Sequence, residues 1–269
     1  MKKVAKVYTW FIMAFLYLPI FVLIAYSFNE SKSRAVFTGF SFKWYQELFS
    51  NQLIISSLVN TLIVAVVSSI VATILGTASA IGIHAMGKKT RSIVMNISNL
   101  PVVNPEIVTG VSLMLLFVYV RTALNVPLEM GLITLILAHI TFNVPYVILN
   151  VMPKLRQMDK HIYEAAMDLG CSPAQAFFKV VVPEIMPGIL SGFLIAFTYS
   201  LDDFIISYFV SGPTSQTLPV TIYSMTRKKV SPEINALSTI IFLVVLAALI
   251  VMNIVDSRAY KRKNQKITG

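Results

Sequence analysis

The chain has 269 residues, 56% of them hydrophobic and only 13% charged, about half the charge of an average soluble domain. That composition excludes a disordered chain, argues against a soluble enzyme of this size, and leaves a polytopic membrane protein. Its 22 Lys and Arg outnumber 12 Asp and Glu for a net charge of +10; in so apolar a chain this excess belongs to loops held at a cytoplasmic membrane face rather than to nucleic acid.

Crossing the bilayer core takes about 20 mostly apolar residues, and six stretches qualify, near 8–28, 56–82, 92–120, 130–152, 188–210 and 234–255. The first follows Lys2, Lys3 and Lys6, as in a secretory signal, but its apolar run outlasts the roughly 7–15 residues of a signal core. We expect an uncleaved anchor. After the second span, Gly82 to Lys88 meets most of a phosphate-loop pattern, but Lys89 stands where Ser or Thr must hold Mg²⁺ and a helix replaces the preceding strand. The chain is therefore not expected to hydrolyse ATP itself.

A single helix over 92–120 would be about 43 Å long, well beyond a core of about 30 Å. Pro101 and Pro105 predict a break, with Asn104 as cap, Pro105 at the first helical position and Glu106 in the first turn of a new helix. Irregular backbone at membrane depth is tolerated only inside a bundle or along a wet cavity, so this segment should face the interior. His139, in the fourth span, is expected to make an interhelical hydrogen bond. His84, His139 and His161 share no metal-ligand spacing, and the lone Cys171 forbids a disulfide within the chain or a cysteine-rich metal site.

Between the fourth and fifth spans, 153–187 mixes charges of both signs. Apolar residues from Ile162 to Leu169 predict a short amphipathic helix that Gly170 stops, and Ser172-Pro173 predicts the start of a second. The pair would form a protruding knob. Gly188 and Gly192, opening the fifth span, suit close helix packing.

Three carboxylates lie inside spans: Glu106, Asp202 and Asp203. Facing lipid they would together cost about 8–10 kcal/mol, so a cavity or a partner is required. Glu106 and Asp202 each fall 14 residues past the inner end of their span, at similar depth. Ser200, Asp203 and Ser207 recur on one face of a helix, with Tyr199 beside Asp203. Such a stripe suits a cationic substrate. We rank Asp203 first as its pathway residue, with Asp202 and Glu106 behind it. Structural readings compete: a helix-start role for Glu106 and a polar contact for Asp203.

Counting Lys and Arg with the N-terminus inside puts 15 of the 22 on the cytoplasmic side, so both termini are expected there. Arg227-Lys228-Lys229 is an outer exception.

Glu164-Ala165-Ala166, three residues, Gly170, nine residues and Val180-Val181-Val182-Pro183 resemble the signature loop of ABC importer permeases, with Val180 and Val182 replacing Ile and Leu. Further segments resemble the polyamine-importing branch of that family: Phe42-Lys43-Trp44-Tyr45, Ala138 to Phe142, Leu201-Asp202-Asp203, Tyr223-Ser224-Met225 and Val230 to Leu237. The resemblance runs across essentially the whole chain. It implies an all-α permease domain over 1–269, with a five-helix core at 56–255 and a cytoplasmic coupling loop at 153–187. In that loop Glu164, Ala165, Ala166, Asp168 and Gly170 would engage the ATPase. Glu164 would bond it, the alanines would allow close approach and Gly170 would form the turn. The substrate pathway would involve Asp203, Asp202, Glu106, Tyr199, Ser200 and Ser207.

Also implied are a second, homologous permease, an ATPase homodimer that carries ATP and Mg, an extracytoplasmic polyamine-binding protein and a bacterial plasma membrane. No cofactor is expected on this chain, nor nucleic acid as partner. Arg227-Lys228-Lys229 is read as docking surface for the binding protein. Permeases for other small solutes are the near alternative. An ion-coupled secondary transporter is disfavoured by the loop motif, and an intramembrane aspartyl protease needs its two Asp on separate spans.

Overall fold

The computed structural model describes residues 2–31, 36–159, 161–228, 232–243 and 246. Lys160, Lys229, Val230, Ser231 and most of the expected sixth span beyond 243 lie outside the described residues. Among those described the fold is helical, with one isolated bridge between Asn29 and Phe40. Five helical stretches are long and apolar enough to cross a membrane: Lys6–Ser27, Gln52–Ala85, Glu106–Ala123, Leu132–Gln157 and Pro173–Asp202, with a shorter apolar helix at Pro232–Leu243.

The chain divides into two units, 1–54 with 222–269, and 55–221. In the first, α1 (Lys2–Ser27) exposes Trp10, Phe11, Phe15 and Phe21, the surface a lipid-facing anchor presents. The turn into α2 (Lys43–Ser50) is held by Asn29. Its carbonyl accepts from the buried Trp44 Nε1 at 2.5 Å, and its side chain bonds the Val36 carbonyl and the Thr38 amide, each at 2.9 Å. Asn51 Nδ2, just before α3 (Gln52–Ala85), donates to Glu233 Oε2 at 3.2 Å, on α12 (Pro232–Leu243).

The second unit carries the broken spans. Most of α3 lies in it, followed by α4 (Lys88–Val103), α5 (Glu106–Ala123) and α6 (Leu132–Gln157). The break in the third span falls where the sequence predicts it, one residue out of register. Asn104 ends α4, donating its amide to Leu100 at 3.0 Å, and Pro105 rather than Asn104 occupies the cap of α5. A residue before proline is forced out of the helical region, and Asn104 is extended at ψ 139°. Pro101 does not break the chain. It sits inside α4, whose helix continues to Val103.

The fifth span also differs from expectation. α7 (His161–Asp168) is the short helix predicted before Gly170, but the second helix of the pair is not separate. α8 (Pro173–Ala176) runs through a π-helical turn, Phe177–Val181, into α9 (Val182–Asp202). Pro183 has no amide and its ring crowds the carbonyl four residues back. The ladder widens just before it, with the Val182 amide bonded to the Phe177 carbonyl, and the helix passes into the span unbroken. At the other end α9 stops at Asp202, Asp203 is extended at ψ 125°, and α10 (Ile205–Val210) restarts. The continuous helical face through Ser200, Asp203 and Ser207 is therefore interrupted. α11 (Leu218–Lys228) follows.

Two apolar clusters hold this unit. Val147, Val151, Met152, Ile185 and Ala196 pack with Ala80 and Ile83, joining α3, α6 and α9. Leu113, Phe117, Leu135, Phe142 and Ile206 pack with Val64, joining α3, α5, α6 and α10. The glycines at 188 and 192 set the α6–α9 distance. A Cβ at Gly188 would lie 2.9 Å from the Asn150 carbonyl oxygen, and one at Gly192 3.2 Å from Val147 Cα.

Candidate functional site

His139, Phe142, Asn143 and Tyr146 follow one another at helical spacing along α6 and face the junction of α9 and α10. Asn143 Nδ2 donates to Ser200 Oγ at 2.7 Å, and that hydroxyl lies 3.0 Å from Ser68 Oγ on α3. His139 Nε2 lies 3.1 Å from Ser207 Oγ and 3.5 Å from Asp203 Oδ2. Ser68, His139, Asn143, Ser200 and Ser207 are buried, and the Asp203 side chain is 5% exposed. The interhelical bond expected of His139 is present. A buried polar seam thus fastens α6 to the broken span, despite the break in its helix.

Asp203 is the reason for that break. Its Oδ2 accepts from the Ser207 amide at 2.7 Å and its Oδ1 from the Ile206 amide at 3.3 Å. A short carboxylate that satisfies the free amides of a new helix competes with continuation of the old one, and negative charge suits a helix start. Both its oxygens are engaged.

The other acids stand in the open. Glu106 and Asp202 are exposed, and Glu106 is in electrostatic reach of both aspartates. What brings α5 so close to α10 is Gly110, one turn beyond Glu106: a Cβ there would lie 3.0 Å from the Phe209 ring and 3.4 Å from Ile206 Cα. Tyr199, partly exposed, meets Tyr146 edge to face at 4.7 Å, and Phe142 lies 5.2 Å from Tyr146. Tyr146 is in turn within electrostatic reach of Glu106. The predicted residues Glu106, Tyr199, Ser200, Asp202, Asp203 and Ser207 therefore converge, as two exposed carboxylates beside a ring cluster with a buried polar seam behind them. Sequence reading missed Ser68, Asn143 and Tyr146. The spacing of His139, Asn143 and Tyr146 on one face was the available signal. Two carboxylates beside aromatic faces can hold an ammonium through charge and cation–π attraction. Among the described residues no group of three or more His, Cys, Asp or Glu is placed to hold a metal ion.

The loop between α6 and α9 is a second cluster. Gly170 has φ +89°, and the Cys171 amide bonds the Ala166 carbonyl at 3.1 Å while the Gly170 amide bonds Met167 at 2.9 Å, the paired bonds of a glycine helix stop. Ser172 caps α8, its Oγ accepting from the Gln175 amide while Gln175 Oε1 accepts from the Ser172 amide. Glu164 is 73% exposed and meets only the equally open His161, at 3.3 Å, among the described residues. Ala165, Asp168 and Gly170 are exposed, whereas Ala166 is buried.

Several apolar spans, broken helices and an exposed, glycine-stopped loop define a multi-pass membrane protein. Residues 72–268 match the family described as binding-protein-dependent transport system inner membrane component, and the chain belongs to that family. It is 43% identical over 228 residues to the putrescine transport system permease protein PotI of Escherichia coli, covering 84% of this chain and 81% of the relative. It is 35% identical over 247 residues to the spermidine/putrescine transport system permease protein PotC of Haemophilus influenzae, covering 92% and 94%. Its fold is similar to a chain in the crystal structure of a bacterial alginate ABC transporter in complex with an alginate pentasaccharide-bound periplasmic protein, with TM-score 0.72 at 19% identity over 93% of this chain and 90% of that one.

Proposed function

We propose that this chain is one permease subunit of an ABC importer for polyamines and forms half of their pathway. The observation that carries the substrate class is that Glu106 and Asp202, exposed carboxylates from two different broken spans, lie within electrostatic reach of each other, with Glu106 also in reach of Tyr146, whose ring packs on Tyr199. The 43% identity to a putrescine permease supports it. Asp202 and Glu106 receive the ammonium groups, and Asp203 holds the helix start behind them. The attraction is strong in a low-dielectric channel but shared between few groups, so a substrate that enters can also leave.

The drive comes from outside the chain. Glu164, Ala165, Asp168 and the Gly170 turn present a rigid, exposed knob to an ATPase dimer that carries ATP and Mg, and Ala166 anchors it. A second, homologous permease completes the pathway, and an extracytoplasmic binding protein delivers the polyamine, with Arg227 and its basic neighbours as part of its docking surface. Both termini lie on the cytoplasmic side. The test is uptake of labelled spermidine by vesicles holding the assembled importer, with ATP or with an ion gradient. ATP-dependent uptake is expected. Uptake driven by an ion gradient without the ATPase would contradict the assignment.

A further inference from the structure

Where the chain leaves α1, its aromatic residues gather into a patch that the core does not cover. Phe28 stacks on Phe40 at 4.9 Å and meets Phe42 edge to face at 5.5 Å, and Phe40 lies 5.2 Å from Phe42. Tyr45 closes the group, its ring 5.3 Å from Phe28 and its hydroxyl 2.8 Å from Ser27 Oγ. Phe40, Phe42 and Phe49 each keep more than half of their surface open. Contiguous exposed apolar surface of this kind marks a place of interaction.

The short helix α2 sorts its residues into three faces. Trp44 and Leu48, one turn apart, are buried. Phe42, Tyr45 and Phe49 fall at i, i+3 and i+7 on a second face, and Lys43, Glu47 and Ser50 at i, i+4 and i+7 on a third. Lys43 and Glu47 are the only charged residues of α2 and pair with each other at 3.8 Å, so the helix offers no net charge to a partner. Depth is set by the span before it. Lys6–Ser27 has 22 residues and rises about 33 Å, slightly more than a hydrocarbon core of about 30 Å. Ser27 therefore reaches the membrane border, where aromatic side chains concentrate. None of the most apolar stretch of that span is buried, so a lipid-facing surface leads directly to the patch.

We propose that Phe40 and the aromatic face of α2 form an interfacial lipid anchor. Phe40, Phe42 and Phe49 enter the boundary between headgroups and acyl chains, α2 lies along the membrane plane, and Lys43, Glu47 and Ser50 face water, as in amphipathic helices that rest on a bilayer. Lipid is the occupant because the span length delivers the patch to that depth and because an uncharged apolar face needs only the acyl boundary as its counterpart. The anchor fixes the depth at which α1 ends. Through the Asn51–Glu233 hydrogen bond at 3.2 Å it also fixes the start of α12. The inference does not rest on the polyamine reading.

The test reads what surrounds each face in the complete importer, reconstituted in phosphatidylcholine vesicles. Cys171 is the lone cysteine of the chain, so Cys171→Ser, with partner subunits freed of cysteine, gives a background for single spin labels at Phe42→Cys, Phe49→Cys and Ser50→Cys. All three positions are exposed, so the substitutions leave the buried Trp44 and Leu48 in place to hold the helix. Collision of each label with oxygen, which concentrates in lipid, is compared with collision with a water-soluble nickel chelate. Labels at 42 and 49 should show an oxygen-to-nickel ratio several-fold above that of the label at 50. A ratio at 42 and 49 equal to that at 50 would place the patch in water and overturn the inference. Low collision with both reagents at 42 and 49 would show protein covering the patch and overturn it equally. Neither result bears on which solute the importer carries.

Discussion

Adjacent residues on one span, Asp202 and Asp203, are pointed apart by the helix break between them. Asp203 uses both oxygens on the Ser207 and Ile206 amides and faces His139; Asp202 is exposed near Glu106. Asp203→Ala should therefore destabilise the permease by about 1–2 kcal/mol, the range for a lost helix cap, seen as a lower melting midpoint in detergent. Asp202→Asn should leave that midpoint unchanged and lower spermidine uptake. Equal melting of the two variants would show that the cap holds nothing. The sequence ranks these residues in the other order because it offers a helical period, and period alone places Asp203 on a stripe with Ser200 and Ser207. Whether an Asp continues a helix or caps the next depends on which amides reach it, and here α10 turns back onto its carboxylate. His139 was legible as an interhelical hydrogen-bonding residue. Its partner was not, since a contact with Ser207, 68 residues further on, leaves no local mark.

At the scale of elements, glycine and proline spoke most clearly. Gly170 was read as a stop and has φ +89°, and the Gly188–Gly192 pair was read as a close-packing face and lies against α6. Gly188→Val places a Cβ where only 2.9 Å separates it from the Asn150 carbonyl, and overpacking of this kind costs roughly 1–3 kcal/mol. Thermal denaturation of the purified chain should show it. Gly170→Val forces a β-branched residue into left-handed backbone, at a cost of order 1–3 kcal/mol, and deforms the knob rather than the span. Its expected signature is an inserted permease that fails to retain the ATPase in co-purification. Glu164→Ala should do the same without loss of stability, because the residue is open and away from the core. Proline was informative in unequal degree. Pro105 broke its span by forcing Asn104 extended, whereas Pro101 and Pro183 were absorbed, the latter by a π-turn that widens the ladder. A proline's position is visible in sequence, but whether the neighbouring turns can yield is decided by packing.

For the whole molecule, composition alone revealed a polytopic membrane protein, and a loop motif revealed its family. What composition could not supply was the convergence of Glu106 with Asp202, which needs α5 and α10 brought together over Gly110. Orientation is testable with a native probe. Cys171 is the lone cysteine and is partly exposed beside the Gly170 turn, so a membrane-impermeant maleimide should label it in inside-out vesicles and not in intact spheroplasts. The opposite pattern would invert the topology. The most direct test of the central claim is uptake of labelled spermidine, alongside ATP hydrolysis, in the complete importer carrying Glu106→Gln with Asp202→Asn. The account predicts that uptake falls to background while basal ATP hydrolysis and ATPase association persist. Wild-type uptake in this double variant would show that the acids are structural and that the pathway for a cation lies elsewhere.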